Sequence, residues 1–514
     1  MSLPGRAASP SASLLLGTSR RPLSTAPSAS AAPSGPIRGR LTTASMNQAV
    51  VGAAYAVRGE LVMKADQYQR VLADPAQRDT LPFKEIIYCN IGNPQQLQQK
   101  PITFFRQVLS CMEYPALLDH PAAAQIYPQD VLQRARHLLA NFSGGTGAYS
   151  HSKGERIVRE HVAGFLQKRD GYAAEPEDIY LSDGASGSVS KALNILIHSR
   201  RDGVMIPIPQ YPLYSATIPL LGGTQLNYYL DEENSWGLQV SELESLVEDA
   251  HKKNVNPRAL VIINPGNPTG QCLAESNMQE VIDFCRRRGI VLLADETNAY
   301  TKPWLSFKKV LRDMGPKYKD VELISFHSVS KGVIGECGHR GGFMELVGID
   351  EEVKQQFYKL ASISLCPNLP GQVVVDLMVR PPVAGEPSYD LYHQETTGIF
   401  ESLKRRALRL TEAFNKLEGV TCNEAEGAMY LFPRVRLPAK AVHEAVKQKK
   451  TPDSFYCLAL LDQTGICVVP GSGFGQKDGT YHFRTTFLPP EDKIDAVAKS
   501  IAKFHHDFMQ KYRD

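Results

Sequence analysis

Residues 260–270 read Leu260-Val261-Ile262-Ile263-Asn264-Pro265-Gly266-Asn267-Pro268-Thr269-Gly270, and the change of character at Asn264 decides the fold class. Four consecutive apolar residues, three of them β-branched, describe a strand buried on both faces. The two Asn-Pro steps and the glycine then stop it in a rigid bend that holds the Asn267 amide toward whatever lies beyond the strand. A turn alone does not require Asn at that second position. The same grammar recurs outward along the chain, with apolar runs at 179–181, 204–208, 290–294 and 323–326, each followed by small or polar residues. Stretches with apolar residues three and four apart, such as 188–198 and 275–288, read as helices between them. Parallel strands joined by crossover helices are therefore expected, an α/β sheet region over about 129–369.

A Pro-rich break at 380–387 separates that region from a C-terminal part with a helix near 392–417, a strand-like run at 428–432 and a closing helix near 491–512. The expected organisation is a leader over 1–59, an arm and part of a small domain over 60–128, a large domain over 129–380 and the rest of the small domain over 381–514. With 514 residues, 43% hydrophobic and 22% charged, the chain has the balance of a globular protein of two cooperating domains, which excludes a disordered or fibrous one.

The charge is concentrated at one end. All six basic residues before Glu60 are arginines (Arg6, Arg20, Arg21, Arg38, Arg40, Arg58) and no acidic residue precedes it, leaving 51 basic against 54 acidic residues in the body. A body so close to neutral offers no broad cationic face, so nucleic acid is not an expected partner. The ten serines, abundant Ala and Pro and single short apolar run of the first 59 residues predict a transit peptide for the mitochondrial matrix, with plastid as the alternative. Nine scattered cysteines without a C-x-x-C pair predict a reduced compartment and no bound metal. No apolar run approaches a spanning length, so no membrane partner is expected.

In an open parallel sheet, ligands bind beyond the carboxyl ends of the strands, which makes the residues after each run the ones to read. Gly184-Ala185-Ser186 opens a helix, exposing N–H groups suited to a phosphate, although a tight capped turn explains it as well. Tyr211 follows 204–208 and could stack on a planar ring or simply pack in the core. Asp295 ends a buried run and needs a cation or donor, which a protonated pyridine nitrogen or a neighbouring Arg or Lys would supply. Lys331 follows Ser328 and precedes a glycine-rich stretch containing Arg340, a setting for a nucleophilic amine beside a phosphate.

In this order, the set resembles the class I pyridoxal-phosphate aminotransferases, fold type I, from about residue 60 onward. The stretches 206–217 (IPIPQYPLYSAT), 261–271 (VIINPGNPTGQ), 336–342 (ECGHRGG) and 468–475 (VVPGSGFG) resemble the alanine aminotransferase branch. The resemblance implies a large domain with a mostly parallel seven-stranded sheet flanked by helices and a smaller α+β domain from both termini. By it, Lys331 holds pyridoxal 5′-phosphate as an internal aldimine and moves the substrate proton. Asp295 keeps the pyridine nitrogen protonated, Asn267 bonds the ring phenol oxygen and Tyr211 stacks on the ring. Gly184, Ala185, Ser186, Ser328 and Arg340 hold the phosphate, and Tyr149 reaches it from the partner subunit of a homodimer with shared sites. Arg484, which alone would read as a surface ion pair, becomes the clamp for the substrate carboxylate, and Gly92 brings main chain to the same substrate.

One segment departs from the pattern. The family follows the Asp-Glu pair with a hydrophobic residue and a Tyr that bonds the phenol oxygen, whereas here Asn298 stands at that place and Tyr300 comes two residues later. Tyr300 is expected to substitute in part. The implied function is reversible transfer of the amino group of L-alanine to 2-oxoglutarate, giving pyruvate and L-glutamate. The alternatives are a glutamate/alanine–glyoxylate aminotransferase, a lyase using the same lysine, or a non-catalytic paralogue.

Overall fold

The computed structural model describes residues 41–53, 59–297 and 304–513. The chain divides into two units, Met1–Asn47 and Gln48–Asp514. In the first, the described residues form a turn in which the Met46 N–H donates to the Thr42 carbonyl at 2.9 Å. Everything below belongs to the second.

At its centre lies a seven-stranded sheet of β1 (Ile179–Asp183), β2 (Asp202–Ile208), β3 (Thr224–Tyr229), β4 (Asn256–Asn264), β5 (Val291–Glu296), β6 (Leu323–Ser328) and β7 (Gly341–Val347). The order is β1-β7-β6-β5-β4-β2-β3. The pairs β6·β5, β5·β4, β4·β2 and β2·β3 are parallel, and only β7 runs against its neighbours β6 and β1. The mostly parallel seven-stranded sheet implied by the resemblance is therefore present. Alternate residues of one strand enter opposite cores. Leu260, Ile262 and Leu292 pack on one side with Val281 and Phe284, while Val261, Leu293 and Ile324 pack on the other with Val189 and Leu193. That two-sided burial is why these runs look continuously apolar in sequence.

Two strands escaped the sequence reading. β3 is an edge strand with Leu226 and Tyr228 buried and Asn227 and Tyr229 exposed, so it lacks a continuous run. β7 opens with two glycines because there is no room for anything larger. A Cβ at Gly342 would lie 2.7 Å from the His327 carbonyl, and one at Gly341 would lie 2.5 Å from the Gly371 carbonyl.

The helices that matter for the site are α1 (Ala185–Leu196), α2 (Pro212–Leu220), α3 (Glu275–Arg288), α4 (Tyr389–Asn415) and α5 (Ile494–Tyr512). α3 ends on Gly289 in the left-handed region at φ 62°, after three arginines that complement the helix dipole. A separate core joins Leu61, Ala65, Phe83, Ile86 and Cys89 to Leu403 and Leu410 of α4 and Phe504 and Phe508 of α5. Its strands are short: Ile87–Tyr88 pairs in parallel with Ile466–Cys467, and Phe483–Thr486 lies between Tyr430–Leu431 and Val469–Pro470. All nine cysteines are free thiols. Among the described residues, no helix is long and apolar enough to cross a membrane and no cluster of side chains could hold a metal ion.

Candidate active site

Lys331 stands three residues beyond the end of β6, and its Nζ donates to the Gly92 carbonyl at 2.6 Å. Main-chain pairing brings Gly92 there from the far end of the chain. The Cys89 N–H donates to the Cys467 carbonyl at 2.8 Å, and the Thr486 N–H donates to the Cys89 carbonyl at 2.9 Å. Gln95 Nε2 then donates to the Gly335 carbonyl at 3.2 Å and Gln99 Nε2 to that of Val333 at 3.1 Å, pinning the loop after Gly92 onto the lysine loop. The Gly92 N–H donates to the Tyr430 hydroxyl at 3.2 Å. Any side chain at 92 would collide, since a Cβ there would lie 2.5 Å from the Tyr430 oxygen and 3.2 Å from Lys331 Nζ.

Arg484 is only 1% exposed. Its Nη1 donates to Asn267 Oδ1 at 3.1 Å and its Nη2 to the Asn90 carbonyl, while the guanidinium carbon lies 4.1 Å from the Tyr430 ring centre and 4.6 Å from that of Phe474. The register explains the stacking: Tyr430 faces Thr486, so Arg484, two residues along, shares its face of the sheet. Asn267 arrives on the turn after β4, in which both Asn-Pro bonds are cis. The N–H groups of Glu426 and Gly427 donate to the Gly270 carbonyl at 2.9 and 3.0 Å, docking that turn on the stretch leading to Tyr430. Burial raises the Tyr430 phenol, but the positive charges of Lys331 and Arg484 and the Gly92 N–H outweigh it, leaving the phenol more acidic than usual.

A second focus forms where β1 meets α1. Gly184 takes φ 75° and is followed by Ala185 and Ser186 in the first turn of the helix. Arg340 Nη2 donates to the Asp183 carbonyl at 3.0 Å and to Ser186 Oγ at 3.1 Å. A Cβ at Gly184 would lie 2.5 Å from that same Nη2. Ser328 and Ser182 both register with Gly342 of β7 from opposite sides, so Ser328 is one strand away from this turn. Helix N–H groups, the Ser186 hydroxyl and the Arg340 guanidinium thus meet at one corner, with Ser328 a strand away, an arrangement suited to a dianion.

Asp295, at the end of β5, accepts a hydrogen bond from the Tyr214 hydroxyl of α2 at 3.3 Å. Burial pushes its carboxyl up to about 6 against that bond. Tyr211, half-buried, occupies the residue before α2. Glu296 points to the other face of the sheet and accepts the Phe307 N–H at 2.7 Å. Burial pushes it up to about 7 despite Arg169 nearby.

The sequence profile of the aminotransferases of class I and II matches residues 119–501. The chain belongs to this family. It is 59% identical over 481 residues to a probable mitochondrial alanine aminotransferase from Dictyostelium discoideum, covering 92% of this chain and 90% of the relative. It is 50% identical to glutamate–glyoxylate aminotransferase 2 from Arabidopsis thaliana, over 91% of this chain and 97% of that one. Among solved structures, an aminotransferase from Escherichia coli superposes with a TM-score of 0.70 at 23% identity, over 90% of this chain and 98% of that one, a likeness of fold.

In this aminotransferase the structure brings Lys331, Gly92, Asn267 and Arg484 into one chain of contacts, and Gly184, Ala185, Ser186 and Arg340 into another. Tyr149 stands on the surface of the chain, 76% exposed. Tyr300 lies outside the described residues. Sequence reading missed Tyr214 and Tyr430. Tyr214 sat unremarked in the IPIPQYPLYSAT stretch, and Tyr430 looked like one more apolar residue of a strand.

Proposed function

We propose that this aminotransferase reversibly transfers the amino group of L-alanine to 2-oxoglutarate, with pyridoxal 5′-phosphate held on Lys331. The residues present fit that cofactor. The corner built by Gly184, Ala185, Ser186, Ser328 and Arg340 suits its phosphate, and the space a Cβ at Gly184 would fill is kept clear for Arg340. A buried carboxyl raised to about 6 at Asp295 is suited to a protonated pyridine nitrogen, which would restore its charge. Asn267 and Tyr300 are the proposed donors to the phenol oxygen, and Tyr211 the ring that stacks on the cofactor. When bound, the cofactor supplies an aldehyde that captures the amino group and a ring that takes up the electrons released at the substrate Cα.

The carrying observation is the contact chain Lys331–Gly92–Tyr430–Arg484–Asn267, which links a nucleophilic amine to a buried cationic fork. Arg484 bonds here to neutral oxygen atoms, and a substrate carboxylate would make the stronger, charge-assisted pair. So anchored, the substrate presents its Cα–H to Lys331, whose amine removes and returns the proton. The alanine assignment is supported by the names of relatives at 59% to 47% identity. The glyoxylate reading is favoured by the Arabidopsis relative at 50% identity and differs only in the amino acceptor. A homodimer in which Tyr149 reaches the partner's phosphate corner is consistent with its exposure, and the arginine-rich leader supports the mitochondrial matrix.

A panel of amino donors against 2-oxoglutarate and glyoxylate tests the proposal. Alanine should lead with 2-oxoglutarate as acceptor. Aspartate or aromatic donors about tenfold ahead of alanine would overturn the branch, and a preference of that size for glyoxylate would move the chain to the second reading.

A further inference from the structure

The proposed reaction gives Tyr430 nothing to do, yet Tyr430 touches the residues that carry it. Gly92 holds the lysine and the phenol through its main chain: its carbonyl accepts from Lys331 Nζ at 2.6 Å and its N–H donates to the Tyr430 hydroxyl at 3.2 Å, and both groups crowd the place a Cβ would take. The Tyr430 ring meanwhile lies against the Arg484 guanidinium at 4.1 Å. Phenylalanine would fill the same space and keep that stacking, so packing alone does not call for the hydroxyl. Burying a hydroxyl costs free energy unless it is bonded, and its bonds here lie on the Lys331 side of the site. The N–H that Gly92 donates into the oxygen also makes the phenol a better proton donor.

We infer that the Tyr430 hydroxyl and the Gly92 carbonyl form the seat that receives the Lys331 amine once substrate has displaced it, and that the hydroxyl exchanges a proton with that amine. The inference rests on the functional reading above and adds a proton-handling residue to it. The exchange is balanced in itself: an ammonium N–H bond breaks as a phenol O–H bond forms, or the reverse, with no electron transfer and no further reactant. The positive charges of Lys331 and Arg484 both favour the ionised phenol and so ease transfer of its proton.

Tyr430→Phe, assayed as the loaded enzyme with alanine and α-deuterated alanine, is the first test. The seat predicts kcat lower by about 10- to 100-fold, a larger primary isotope effect, and KM for alanine within about threefold, since Arg484 keeps its aromatic neighbour. A raised KM with kcat and isotope effect unchanged would assign Tyr430 to packing and overturn the inference. The second test keeps the hydroxyl and so does not depend on the folding of Tyr430→Phe. With 3-fluorotyrosine at 430 and the enzyme carrying the amine form of the cofactor, which leaves Lys331 free, the fluorine signal reports ionisation of the phenol. Its midpoint should rise by about one unit when Lys331→Ala removes the cation; an unmoved midpoint would overturn the coupling. An unsubstituted enzyme that moves no amino group from alanine would sink the functional reading instead.

Discussion

Two residues of the site make opposite demands on charge. Arg484 is a buried cation whose value lies in its planar fork, so Arg484→Lys keeps the charge and loses the bidentate grip. Its kcat/KM for alanine should fall about 100-fold, chiefly through KM, in steady-state kinetics, and an unchanged KM would place the carboxylate elsewhere. Asp295 is a carboxyl that burial holds at about 6 in the free protein. If it must be ionised to face a protonated nitrogen, cofactor binding below that value has to expel a proton. Affinity measured by titrating the cofactor-free protein should be flat above pH 6 and fall about tenfold per unit below it, a fall that Asp295→Asn should abolish. Lys331, Asp295 and Asn267 stood out in the sequence because each ends or follows a strand of the sheet, whereas Arg484 read alone as a surface ion pair and gained a role only through the family resemblance. Tyr430 was not legible, because what distinguishes it from a core tyrosine is the distant Gly92 placed against its hydroxyl by pairing between residues 87–89 and 466–486.

At the scale of elements, the five strands read from sequence are those with apolar residues on both faces, and each runs one to four residues further than its apolar run at one or both ends. Among those extra residues at the carboxyl ends are two of the candidate site, Asp295 and Ser328, which belong to the sheet itself, and this makes their placement rigid. β3 and β7 were not legible, one being half-exposed and the other opened by glycines that neighbouring backbone makes necessary. Glu296 offers a test at this scale. Burial holds it near 7 in the folded chain against an ordinary 4.5, so the folded state binds that proton more tightly than the unfolded one. Its contribution to stability is therefore present below about pH 4.5 and is lost as the pH rises toward 7. Glu296→Gln keeps an acceptor for the Phe307 N–H, and its Tm should decline less than that of the unsubstituted protein between pH 5 and 7. Parallel declines would contradict this placement of the charge.

At the scale of the molecule, every described site residue belongs to the unit Gln48–Asp514. Removing Met1–Asn47 should leave kcat/KM within about twofold while abolishing uptake by isolated mitochondria; loss of activity instead would give the leader a part in the fold. The sheet with its flanking cores and the separate core joining residues 61–89 to α4 and α5 are tied together by the contacts that seat Gly92, Asn267, Tyr430 and Arg484. The function proposed for that meeting point requires that the amine of Lys331 carry the cofactor. Borohydride reduction of the protein loaded with pyridoxal 5′-phosphate, followed by peptide mass spectrometry, reads this directly. One reduced cofactor on the peptide containing Lys331 is the predicted result, and a label on another lysine, or none, would contradict it.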